Sequence, residues 1–235
     1  MPTVSARALA ALPAAVVGLI VLIVLVFVDP IIAVVAALVV GVAVFFAVEA
    51  TATGRALAAL GGGPIEECSE PRLESLVESV CASHGINESD LYLTETSAVD
   101  AAVVGRSDDT RLVVTRGLLD KLDRLELEAV VARELSMFGT GVHASTVLAS
   151  IGGVLGPIGG ALRERLLDDR RFVAADFDAV GVTRYPPALA GAFEKAAAAA
   201  RVTHHAAADH LWMVGSGTDS VQPELRERVD ALLEL

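Results

Sequence analysis

Residues Leu122–Gly139 read LDRLELEAVVARELSMFG. The pattern predicts one amphipathic helix. Asp123 is a good N-cap, and Glu126 three residues later completes a capping-box pattern. Leu127, Val130, Val131, Leu135 and Phe138 recur at helical spacing and form its buried stripe. Gly139 and Gly141 stop it.

The chain around this helix is too apolar for one ordinary soluble domain. It has 235 residues, 54% of them hydrophobic, and a mean hydropathy of +0.59. Ala8–Val28 and Ile31–Val48 carry no charge. About 20 apolar residues span a bilayer core, so both read as transmembrane helices. Asp29-Pro30 is the tight turn between them. Arg7 precedes the first span and Arg55 follows the second, while the turn carries only an acid. The positive-inside rule then places both ends in the cytoplasm. The expected partner of this hairpin is the lipid bilayer of the cell membrane.

Thirty acids against 18 bases give a net charge of −12. That balance excludes a nucleic-acid partner, which wants clustered positive charge. Only Lys121 and Lys195 are lysines. Such an acidic, arginine-over-lysine surface resembles proteins of salt-loving archaea, where salt screens the self-repulsion. Cys68 and Cys81 have no C-x-x-C spacing and read as two reduced thiols.

Residues 56–65 read as a linker ending in Gly61-Gly62-Gly63-Pro64. Glu66–His84 reads as a helix. Leu91–Thr96, Ala101–Val104 and Arg111–Thr115 read as short strands of a small antiparallel sheet. Leu135–Leu162 is uncharged apart from His143, but seven glycines and Pro157 make it a poor isolated helix. Residues 142–162 are therefore expected to lie on the membrane face as a loop or helical hairpin. Arg163–Ala200 reads as two helices broken at Tyr185-Pro186-Pro187, and Pro223–Leu235 as a final helix.

The helix at Leu122–Gly139 resembles the active-site helix of the HtpX-type membrane zinc metallopeptidases, which carries H-E-x-x-H. Two histidines on one helix face bind the metal, and the glutamate activates the bound water. Here the corresponding residues are R-E-L-S-M. Glu134 matches the catalytic glutamate, and Arg133 and Met137 stand at the two histidines. The resemblance continues from LYLTETSAVDAAVVGRSDD into this helix, with Asp100-Ala101 where the family often has Asn-Ala before its edge strand. It continues again in RERLLDDRRFVAADFDAV and in VQPELRERVDALLEL. Counting four residues back from Asp176 places Phe172 at the third metal ligand. Gln222 replaces the histidine of a closing H-P-P, and Arg228 matches that segment's arginine.

The resemblance implies an α+β fold. A transmembrane helical hairpin (residues 1–55, spans about 8–28 and 31–48) precedes a mostly helical zincin-like domain with a small antiparallel sheet (residues 66–235). It also implies that all three metal positions are lost. Arginine cannot donate a lone pair and methionine is a poor zinc ligand, so no cofactor is expected. Met137 and Phe172 are expected to pack together where the metal would be. Asp176, a second-shell carboxylate in the family, is expected to pair with Arg133. The implied function is a membrane-anchored pseudopeptidase that binds membrane-protein substrates or an active protease. The alternative is an active zinc metallopeptidase with a rearranged metal site, drawing on Glu134 and on His204, His205, Asp209 and His210.

Overall fold

The computed structural model describes residues 5–85, 88–106, 109–137, 141–155, 163, 167, 170–203, 206–216 and 224–235. Helix α1 runs over Ala6–Leu25 and α2 over Pro30–Leu60. The Asp29 carboxylate starts α2 by accepting from Ile31 N at 2.8 Å and Ile32 N at 3.0 Å, with Pro30 at the first helical position. Both helices are long and apolar enough to cross a bilayer. They touch each other through small residues: a Cβ at Gly18 would lie 3.1 Å from Ala37 O. Most of their large side chains, such as Leu19, Ile32 and Leu38, face outward.

Helix α2 does not end at Val48. It continues to Leu60, through five residues read from the sequence as linker, and stops at Gly61 with φ 70°. The reason is burial. Ala52, Ala56, Leu57 and Leu60 recur at helical spacing and are all enclosed. Ala56, Leu57 and Leu60 pack with Ala102, Val113 and Trp212 of the following domain.

Strand β1 (Gly63–Pro64), helix α3 (Pro71–His84), β2 (Asp90–Thr94), β3 (Ala101–Arg106) and β4 (Asp109–Thr115) come next. Helix α3 begins at Pro71 rather than Glu66, because proline suits the first helical turn. The sheet order is β1-β2-β4-β3. It is mixed rather than antiparallel: β2 and β4 run parallel, with Leu91 opposite Leu112 and Leu93 opposite Val114. After β2 the chain crosses to the far edge, forms β3, and returns as β4 into the middle place. The β3–β4 hairpin requires Gly105, whose φ is 115° and whose added Cβ would lie 2.0 Å from Asp109 O.

Helix α4 (Arg116–Lys121) leads into α5 (Arg124–Ser136). The capping box of α5 is complete. Asp123 Oδ1 accepts from Leu125 N and Glu126 N, and Glu126 Oε2 accepts from Asp123 N at 2.7 Å. The Asp123→Ala variant is expected to lose about 1 kcal/mol of stability, read as a shift in the unfolding midpoint. Helix α5 buries more than a stripe, since Ala129, Ala132, Arg133 and Glu134 are enclosed along with the expected apolar positions. Phe138 and Gly139 lie outside the described residues.

Helices α6 (Val142–Leu155), α7 (Arg170–Thr183), α8 (Pro186–Ala198) and α9 (Leu225–Leu233) complete the domain, with a 3-10 turn at Ala206–Leu211. The break between α7 and α8 falls at Arg184 and Tyr185, just before the expected prolines, and Arg184 adopts φ 54°. Through Leu155 the stretch expected to lie on the membrane face is a helix packed on the apolar hairpin. Val147, Leu148 and Ile151 of α6 bury against Leu9, Val48 and Ala52. Residues 156–162 of that stretch lie outside the described residues. Leu73, Leu118, Leu127, Leu189 and Phe193 form the centre of the main core around α5.

Candidate functional site

Helices α5, α7 and α9 bring four charged side chains together in the interior. Arg133, Glu134, Asp176 and Arg228 are all 3% exposed or less. Arg133 Nε donates to Asp176 Oδ1 at 3.2 Å, the pairing expected from the sequence. Its Nη1 donates to Glu134 Oε1. Arg228 grips the same aspartate in a fork: Nε donates to Oδ2 at 2.7 Å and Nη2 to Oδ1 at 2.8 Å. Its Nη1 donates to Met213 O at 2.9 Å. Two buried cations and two buried carboxyl groups thus face each other in the interior. Burial pushes the Glu134 carboxyl above its ordinary value, against the pull of Arg133 beside it.

Phe172 lies beneath this network rather than apart from it. The guanidinium carbons of Arg171, Arg133 and Arg228 stand 4.7, 5.6 and 6.0 Å from its ring centroid, distances at which a cation is attracted to the ring face. Met137 is the C-cap of α5 and packs with Val103, Val142 and Ala175. The filling of the site is therefore mainly ionic, and Met137 clusters with Val103, Val142 and Ala175 rather than with the Phe172 expected from the sequence.

The chemistry open to this constellation is narrow. Arg133 offers only donors, and Phe172 has no lone pair to give. Glu134 Oε1 is held by Arg133, while Glu134 Oε2 and Arg133 Nη2 make no hydrogen bond among the described residues. A zinc ion needs three or four N, O or S donors at about 2.0–2.3 Å. The residues present do not fit one. A guanidinium fixed between two carboxylates puts positive charge where the resemblance would place the cation. No three His, Cys, Asp or Glu side chains converge on a metal position among the described residues.

The histidine cluster offers no substitute. His204 and His205, like Gln222, lie outside the described residues. His210 is buried, with Nε2 bonded to Ser145 O at 3.1 Å. Its neighbour Asp209 accepts from Ser216 N and Ser216 Oγ at 2.8 and 2.7 Å. Arg171, which the sequence reading passes over, ties this corner together. It donates to Ser145 Oγ, and to His210 O at 3.1 Å. The only signal for it was its place beside Phe172.

Asp100 has a different partner set from the helices. Its carboxylate sits at the start of β3 and accepts from Ala101 N (2.9 Å), Val214 N (3.0 Å) and Gly215 N (2.8 Å). Burial still pushes it up to about 7 from its ordinary 3.8. His210 moves the opposite way: burial, then Arg171, push it down to about 3 from 6.5. The raised Asp100 value contributes stability that is full below about pH 4 and lost as pH rises through 7. The depressed His210 value contributes stability that is full above about pH 6.5 and lost as pH falls toward 3. Each shift corresponds to roughly 4–5 kcal/mol over its whole window. Thermal unfolding at pH 5 and pH 7 separates them. His210→Gln is expected to gain stability on acidification relative to the parent protein, and Asp100→Asn to lose it.

Comparison with known proteins agrees with this architecture. The profile of peptidase family M48 matches residues 67–152, from before α3 into α6. The protease HtpX homologue of Dictyoglomus thermophilum is 31% identical over 162 residues, covering 53% of this chain and 54% of the relative. That of Tropheryma whipplei is 27% identical over 221 residues, covering 74% and 76%. The chain is similar to the HtpX-like proteases of peptidase family M48.

A third HtpX homologue, from Halobacterium salinarum, is 36% identical over 81 residues, covering 34% of this chain and 28% of the relative. The chain spans about half the length of the two Dictyoglomus homologues. The HtpX-like frame is thus carried by α3, the sheet and α5, and the ionic network hangs on the last turns of α5.

Proposed function

We propose that this chain is a membrane-anchored HtpX-like pseudopeptidase, with the fold retained and hydrolysis lost. One observation carries the reading: Arg133, wholly buried, is bonded to both Glu134 and Asp176. It stands where the resemblance puts a zinc-binding histidine, and it neutralises the glutamate that would act as base. Phe172 at the third ligand position supports the same conclusion. The proposed work is binding, within membrane-protein quality control, of a membrane-protein substrate or an active protease partner. Arg7 and Arg55 flanking the two spans support a cytoplasmic domain.

The test is metal content and hydrolysis on the full-length protein in detergent. Purified with zinc supplied, it is expected to hold far less than one zinc per chain and to leave casein uncut. Stoichiometric zinc, or cleavage that a chelator abolishes, overturns the proposal. Cross-linking in membranes, followed by identification of the captured proteins, tests the binding role. Recovery of the chain alone would count against it.

A further inference from the structure

Strand β3 is the outer strand of the sheet, and an outer strand presents a row of unpaired backbone groups that can take another extended chain. In this molecule part of that row is taken. Trp212 forms an antiparallel bridge with Ala102, and Met213 N donates to Ala101 O at 2.7 Å. Further along, Gly105 N donates to Thr146 Oγ1 of α6 at 3.0 Å. Ala101, Ala102, Val103 and Val104 are buried.

The covering segment is held from both sides. Asp100 accepts from Val214 N and Gly215 N, one on each carboxylate oxygen. Arg228 holds the Met213 carbonyl. The side chains of the segment divide between two cores: Leu211 lies with Trp212, and Val214 with Met213. Trp212 enters the cluster with Leu57, Leu60 and Ala102, and Met213 enters the main core on the other side. The backbone pairing at Ala101 and Ala102 is of the kind a bound extended peptide would make at a sheet edge.

We infer that residues Leu211–Gly215 are a built-in occupant of the β3 edge, pinned by Asp100, and that they bar extended apolar peptides from it. The closure rests on backbone pairing and stands whether or not the domain holds metal. Any substrate or partner of the intact chain is then met elsewhere than at this edge. Asp100 is a positioning residue: it touches the occupant and no ligand.

The experiment uses the full-length protein in detergent, hydrogen exchange read by mass spectrometry, and a fluorescent peptide copying His210–Ser216. In the parent protein, the Ala101–Gly105 and Trp212–Gly215 amides are expected to exchange as slowly as those of β4, and the peptide not to bind. In Asp100→Ala, exchange of those two segments is expected to rise about tenfold or more while α5 stays protected, the mark of local opening. The peptide is then expected to bind. Asp100→Asn keeps the shape but turns an NH2 group toward one of the backbone donors. It is expected to raise exchange less, and it serves if the alanine variant does not fold. Peptide binding to the parent protein as tight as to the variants overturns the inference. So does unchanged exchange in a folded Asp100 variant. Zinc content reads the pseudopeptidase proposal separately from either outcome.

Discussion

Asp176→Asn is expected to cost the folded protein on the order of 3–5 kcal/mol, measured as the shift in its denaturant or thermal unfolding midpoint. Asp176 accepts from Arg133 Nε and from both Nε and Nη2 of Arg228. The amide keeps the volume and removes the charge. Two guanidinium groups would then remain in the interior with Glu134 alone to balance them, and an uncompensated buried charge is far more costly than an exposed one. Exposed ion pairs give the contrast. Arg111 with Asp109 lies at the surface, and breaking it is expected to change stability by less than about 1 kcal/mol. A shift of that small size for Asp176→Asn would mean that water reaches the network.

Rebuilding the metal site is expected to give the other large effect. The variant combines Arg133→His, Met137→His and Phe172→Glu. Residues 133 and 137 lie four apart, and Met137 keeps helical backbone angles at the end of α5, so two imidazoles there would share one face. Residue 172 approaches from α7, where its present ring lies 5.6 Å from the Arg133 guanidinium carbon. The variant is expected to bind zinc at about one per chain with micromolar or tighter affinity, about −8 kcal/mol or better. Added zinc should also raise its melting temperature. The parent protein is expected to do neither. Arg133→His alone should bind no better than the parent, because one imidazole with Glu134 makes no site. A folded triple variant indifferent to zinc would mean that α5 and α7 do not face each other as a zincin frame requires.

Local signals in the sequence were read most faithfully. The capping box at Asp123 and Glu126, the Asp29-Pro30 turn and the proline break after α7 each involve residues a few positions apart, so composition alone exposes them. The Arg133–Asp176 pair was legible for another reason. A permanent cation at an interior position of α5 needs an anion, and the family resemblance placed one opposite. Less was legible where partners are distant. Nothing near Asp100 reveals that it holds the amides of Val214 and Gly215. The parallel direction of β2 and β4 depends on β3 going to the outside first, a choice made by packing against α6 and Trp212. Arg228 was expected from the resemblance, but its fork onto Asp176 shows only in three dimensions. The end of α2 is hidden because hydropathy falls after Val48, although the spacing of Ala52, Ala56 and Leu60 signals that the helix continues.

That unbroken α2 has a mechanical consequence. Its 31 residues make a rod of about 46 Å, while the hydrocarbon layer takes up about 30 Å. The remaining turns are embedded in the body that carries the ionic network. A stiff axle of this kind transmits tilt. Thinning of the lipid layer, or a neighbour that leans the hairpin over, would rotate the whole body with it, whereas a slack tether would absorb the movement.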